Sequence, residues 1–172
     1  SYGHGLSATP LHLAAGYATL ANGGRLVKPT LLEEEKPVLG QQIVSKEVAD
    51  NSLAMLRGVV TEGTASLANV NGYFVAGKTG TADKPSAQGG YDKEKNITSF
   101  ASIFPIYEPK FVLVVTLDEA QDTSGPEPKR TAGWTAVPVS AEIIARVAPL
   151  LGLRPQFDNK SAVGVTLSNW QE

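Results

Sequence analysis

A chain of 172 residues with 42% apolar side chains is long enough to bury the core of one ordinary domain. Its 15 basic and 17 acidic side chains leave a formal charge of −2 with no large block of either sign, which argues against a nucleic-acid-binding face. The sequence holds no cysteine, which excludes disulfides and cysteine–metal chemistry, and no apolar run approaches the ~20 residues that cross a bilayer. Ser1 stands where an initiator methionine would, which points to a processed or excised piece.

Thr9-Pro10 predicts a helix start, a hydroxyl cap followed by proline at the first helical position. Leu11, Ala14, Ala15, Ala18 and Leu20 or Ala21 follow at helical spacing, and Asn22-Gly23-Gly24 ends the run. An extended segment from Arg25 to Leu32 leads to Glu33-Glu34-Glu35, read as a solvated loop. Ser45 caps a second predicted helix whose face is traced by Val48, Ser52, Met55, Leu56 and Val59, ending before Gly63. Thr64 to Asn69 reads as a short helix or turn.

The pattern then turns strand-like. Tyr73 to Asp83 predicts a strand and Asp83 to Lys95 a polar loop beside it. Ile97–Phe104 and Lys110–Leu117 are the clearest strands, joined through Pro105 to Pro109. Phe111 to Val115 is apolar on both faces, which predicts a central strand covered on each side. A proline-rich loop from Gln121 to Arg130 precedes a last helix with an apolar stripe of Val139 or Ser140, Ile143, Ile144, Val147, Leu150 and Leu151, with Trp134 packed at its start. Beyond Pro155 the pattern is weak, with Val163-Gly164-Val165 a candidate short strand. These elements give an α+β fold: an antiparallel sheet of about three strands flanked by helices.

Lys78-Thr79-Gly80-Thr81 carries the chemistry. On a strand at a sheet edge, Thr79 and Thr81 place two hydroxyls on one face, suited to a terminal carboxylate, while Lys78 alternates to the other face. Gly80 leaves space for an extended peptide pairing with the edge, and a fixed ammonium favours an anionic ligand. The same stretch from Gly72 to Thr79 also fits the spacing of a phosphate loop. Its context opposes that reading, because Tyr73-Phe74-Val75-Ala76 prefers an extended strand, and Gly80 and Pro85 oppose a helix at the lysine. Lys78 as a plain surface lysine is the bland alternative. Of the remaining polar residues, His4 and His12 stand without a carboxylate cluster, and Asn96-Ile97-Thr98 is a sequon leading into a buried-type strand. Asp118-Glu119 reads as a solvated strand end, and Tyr91 is a candidate for lining the groove.

Beyond the motif, several segments together resemble the C-terminal part of the transpeptidase domain of class B penicillin-binding proteins, the division-type peptidoglycan transpeptidases. They are Ser1 to Leu11, Tyr17 to Gly24, Val59 to Ala65, Val75 to Ala82, Ser99 to Pro105 and Ala136 to Val139. The resemblance implies a penicillin-binding-protein/serine β-lactamase-like fold whose first strands are missing here. It assigns residues 1–155 to the C-terminal portion of that domain and 156–172 to a tail.

It further implies a D,D-transpeptidase that cross-links peptidoglycan through a serine acyl-enzyme on D-Ala-D-Ala stems, and that binds β-lactams. Lys78 matches the catalytic lysine of the proton relay, Thr79 and Thr81 the carboxylate-binding hydroxyls, the Thr81 N–H one oxyanion donor, and Gly80 the residue leaving room for the acyl group. No cofactor is implied. The implied partners are stem peptide, β-lactams, the missing N-terminal half of the domain and division-machinery proteins. The implied location is the periplasmic side of the inner membrane, reached through an anchor absent from this chain.

No serine in the sequence has lysine three positions on or asparagine two positions on, so neither Ser-x-x-Lys nor Ser-x-Asn is present. The expectation is that these lie upstream of Ser1, that the chain alone is inactive, and that the bare outer edge of the Lys110–Leu117 strand pairs with the missing half, dimerises or exchanges strands. The competing classes are a non-catalytic β-lactam-sensing or interaction module of the same fold, and a nucleotide binder.

Overall fold

The computed structural model describes residues 6–32 and 40–157. The acidic triplet, the His4 loop and the Val163–Val165 segment lie outside them. Helix α1 spans Pro10–Ala21 and opens with the Thr9 hydroxyl accepting the His12 N–H at 3.2 Å. Its last turn closes on Gly23 and Gly24, both at positive φ (63° and 81°). From Arg25 the chain makes an isolated bridge to Gln42, and the Leu26 N–H donates to the Gln41 carbonyl, but among the described residues the predicted extended segment forms no regular strand.

Helix α2 spans Lys46–Thr61, capped by the Ser45 hydroxyl on the Val48 N–H. Its buried residues are Ala49, Leu53 and Val60, whereas Val48 and Met55 of the predicted stripe are 50% and 68% exposed. The helix is turned so that small Ala49 faces inward, because α2 packs closely on the sheet. A single 3-10 turn, Ser66–Ala68, follows.

Three antiparallel strands form the sheet in the order β1 (Ala76–Pro85), β2 (Tyr91–Phe104) and β3 (Phe111–Asp118). The strand expected from Tyr73 begins only at Ala76. Phe74 takes a left-handed φ of 39°, which breaks the extended run, and its carbonyl instead accepts the Ile106 N–H. At the other end, the segment read as a polar loop is largely hairpin: β1 runs to Pro85, β2 restarts at Tyr91, and a register shift between Asp83 and Lys84 marks the bend. Polar side chains there reflect a ribbon with no buried face.

Register divides the sheet cleanly. Ala76, Ile103 and Val112 share one face and pack with Leu53, Tyr17, Leu20 and Leu56 of α1 and α2. Phe100, Val115, Phe104 and Phe111 share the other and pack with Val137, Ile144 and Ala148. The last three belong to α3 (Ala136–Leu150), which buries a seam of Ala136, Ser140, Ile144 and Ala148. Leu150 and Val139 of the predicted stripe are exposed, since small side chains on the seam let the helix approach the sheet.

Helices α1 and α3 cover β3 on its two faces, as its apolar run predicts, but its position is not central: β3 is an edge strand. Beyond it no strand pairs among the described residues. Trp134 also departs from its predicted packing role. It stays 45% exposed, with the Lys129 ammonium 3.3 Å from its ring centre.

Candidate functional site

The Lys78–Thr81 run lies in the middle of β1. Register places Lys78 beside Ala101, Thr79 beside Phe100, Gly80 beside Ser99 and Thr81 beside Thr98. Thr79 and Thr81 therefore share the α3 face, and Lys78 sits on the α1/α2 face, as the alternation predicts. β1 pairs with β2 along one side only, and no strand among the described residues occupies its other side. No helix begins at Lys78, which removes the geometry a phosphate loop requires.

Gly77, just before the run, and Gly80, inside it, do different jobs. A Cβ on Gly77 would stand 2.7 and 2.9 Å from ring atoms of Phe100, with the Ala101 carbonyl nearer still, so this glycine lets β1 lie against β2. A Cβ on Gly80 would meet nothing within 4 Å among the described residues, so none of them requires a glycine there.

Lys78 crosses back over the strand. Its Nζ donates to the Thr79 carbonyl at 3.0 Å and to Thr79 Oγ1 at 3.3 Å, so the ammonium reaches the hydroxyl even though the two side chains leave opposite faces. Alternation alone does not show this; the long lysine stem supplies it. The stem borders a groove of about 360 Å³ walled by Tyr17, Leu20, Met55, Leu56 and Val59, where burial raises the Tyr17 phenol pKa.

Thr79 Oγ1 lies 2.9 Å from Thr64 Oγ1, and Thr81 Oγ1 accepts the Ala132 N–H at 3.1 Å. Thr64 falls in the Val59–Ala65 segment of the resemblance, but neither its contact with Thr79 nor that of Ala132 with Thr81 is signalled by sequence, because both come from segments remote in the chain. Arg57 is likewise unsignalled. It donates to the Val75 carbonyl at 2.6 Å and to Asn69 Oδ1 at 3.0 Å, tying α2 to the chain just before β1, and burial lowers its pKa.

Asp118 and Glu119 face solvent as expected, 67% and 45% exposed, and both pair with Lys84, which is 25% exposed. This bridges β1 to the end of β3, and hydrogen bonds to Asp118 and then Glu119 raise the Lys84 pKa. Asn96 of the sequon is buried, and its amide donates to the Arg130 carbonyl. His12 is exposed and bonded to Thr9, and Tyr91 is half-exposed at the start of β2.

This arrangement, hydroxyls and an ammonium on an open strand edge with the glycine gap between them, suits an anionic end of an extended ligand. Residues 1–145 match the penicillin-binding protein transpeptidase domain family. The chain is 32% identical over 165 residues to the probable peptidoglycan D,D-transpeptidase FtsI of Caulobacter vibrioides, covering 90% of this chain and 28% of the relative. Against stage V sporulation protein D of Bacillus subtilis the figures are 32% over 168 residues, 91% and 25%. Among solved structures, the transpeptidase domain of Burkholderia pseudomallei penicillin-binding protein 3 superposes with a TM-score of 0.79 at 33% identity, covering 91% of this chain and 46% of that one. Penicillin-binding protein 3 of Mycobacterium tuberculosis, solved with ampicillin, gives 0.76 at 29% identity, covering 92% and 38%.

The chain belongs to the penicillin-binding protein transpeptidase family and has its fold. It spans about a quarter of the length of the curated relatives it matches.

Proposed function

We propose that these residues form the carboxylate-binding side of a serine D,D-transpeptidase that cross-links peptidoglycan. The observation that carries this reading is the edge of β1 left open among the described residues, where Thr79 and Thr81 share a face, none of those residues comes within 4 Å of a Cβ on Gly80, and the Lys78 ammonium lies 3.3 Å from Thr79 Oγ1.

In the proposed mechanism a stem peptide ending in D-Ala-D-Ala lies along β1, and the Thr79 and Thr81 hydroxyls donate to its carboxylate. The Lys78 charge holds the anion and assists proton transfer, while the Thr81 N–H donates to the oxyanion of the tetrahedral intermediate. A β-lactam takes the same place with its own carboxylate. The attacking serine, its lysine and the second oxyanion donor are supplied by Ser-x-x-Lys and Ser-x-Asn elements that these 172 residues do not contain. Residues 1–155 then pair with the remainder of the domain, whose strands cover the outer edge of β3. The likeness to FtsI proteins supports a role at the periplasmic face of the cell envelope alongside division proteins.

The test is mass spectrometry after incubation with penicillin. The full-length natural protein should gain one adduct on a serine outside this sequence, and the 172-residue chain should stay unmodified. Thr79→Val and Thr81→Val in the full-length protein should each slow acylation about tenfold or more, the worth of a hydrogen bond to a charged group. An adduct on any residue of this chain, or none on the full-length protein, contradicts the reading. The latter result favours a non-catalytic binding module of the same fold.

A further inference from the structure

We propose that Thr64, at the end of the α2 connection, is a positioning residue that turns the Thr79 hydroxyl into an outward donor. This rests on the reading of Thr79 as a carboxylate ligand.

Donors and acceptors fix the direction of the Thr64–Thr79 bond. A threonine hydroxyl has one proton and two lone pairs, and an ammonium has only protons. Lys78 Nζ donates to Thr79 Oγ1 and so occupies one lone pair. Thr64 Oγ1 is 2.9 Å away, and by distance alone either oxygen is the donor. Once Thr79 gives its only proton to a ligand carboxylate, the ambiguity disappears. Thr64 must then be the donor, filling the second lone pair. The chain runs from the Thr64 O–H to the Thr79 O–H to the carboxylate, each bond polarising the next.

Thr81 is arranged in the same way. Its Oγ1 accepts the Ala132 N–H, so its proton is also left to point outward. One loop links the two partners: a Cβ on Gly133 would come within 2.8 Å of the Thr64 carbonyl, so glycine there lets the Ala132 loop close against Thr64. Thr64 is exposed, and water would satisfy its hydroxyl equally well in a purely structural role. What the pair adds is direction.

The experiment measures second-order acylation rate constants in the full-length natural protein, with benzylpenicillin and with its methyl ester, which lacks the carboxylate. Thr64→Val keeps the side-chain shape and removes the donor, and Thr64→Ser keeps the donor. With benzylpenicillin, Thr64→Val should slow acylation about three- to tenfold, the worth of one net hydrogen bond, while Thr64→Ser stays within about twofold of wild type. With the ester the variants should match wild type, and in a Thr79→Val background Thr64→Val should change nothing further.

The inference is overturned if Thr64→Val acylates at the wild-type rate while Thr79→Val is slow. A serine variant as slow as the valine variant, an equal loss with the ester, or an undiminished loss in the Thr79→Val background overturns it too. If Thr79→Val itself is as fast as wild type, the carboxylate reading of Thr79 falls, and Thr64 with it. A full-length protein that is never acylated refutes the proposed function as a whole.

Discussion

Replacing each of two glycines three positions apart by alanine separates what β1 does for the fold from what it does for a ligand. Gly77→Ala would drive a methyl to 2.7 Å from the Phe100 ring, roughly 1 Å inside the favourable carbon–carbon separation, with the Ala101 backbone carbonyl closer still. Phe100 is fully buried in the core under α3, and Ala101 belongs to the paired strand, so neither can step aside without disturbing the ladder. Overpacking of this kind costs about 1–3 kcal/mol, and a backbone obstacle puts it near the upper end. In a protein of this size that lowers Tm by roughly 4–10 °C.

Gly80→Ala meets nothing within 4 Å among the described residues, so its Tm should stay within about 1–2 °C of wild type. Penicillin acylation of the full-length protein should nevertheless fall, because the methyl enters the gap assigned to the ligand. Thermal melts followed by circular dichroism, with acylation rates measured alongside, give both readings. A Gly77→Ala variant that melts with wild type, or a Gly80→Ala variant that loses stability to the same degree, would refute this division of roles.

Two further outcomes follow from the polar contacts around β1. Lys84 has a raised pKa in the folded state, so its pairing with Asp118 and Glu119 stabilises fully below the ordinary lysine value and is lost as pH rises through the raised one. Lys84→Met should therefore melt lower than wild type at neutral pH and low salt, and the gap should close at strongly alkaline pH; parallel pH profiles for the two proteins contradict this. Arg57→Ala leaves the Val75 carbonyl and Asn69 without their donor and should cost about 1–3 kcal/mol in a denaturant titration, with Arg57→Lys recovering only part. Full recovery by lysine would show that the two-pronged geometry is immaterial.

Local chemistry was readable in the sequence wherever it decided the structure. Thr9-Pro10 and Ser45 start helices because a cap acts on backbone groups within three residues of itself. The Lys78–Thr81 motif could be placed on a strand because alternation is a local rule. Long-range packing was not readable. Ala49, Ala136, Ser140 and Ala148 are buried because helices come close to the sheet, and no hydropathy pattern marks them. Phe74 leaves the strand conformation at a junction held by Arg57 and Ile106, each remote from it in sequence. The hairpin from Asp83 to Tyr91 looked like a loop because a solvated ribbon has no apolar face to advertise it. Thr64 and Ala132 reach the candidate site only through tertiary contacts, from positions 15 and 51 residues away from the threonines they touch.

A crystal structure of the full-length protein bearing an acylated or bound acyl-D-Ala-D-Ala mimic examines the core idea most directly. The ligand should extend along the outer side of β1, its carboxylate within hydrogen-bond reach of both Thr79 Oγ1 and Thr81 Oγ1. A ligand whose carboxylate lies away from those two hydroxyls, or that leaves the β1 edge untouched, would contradict it.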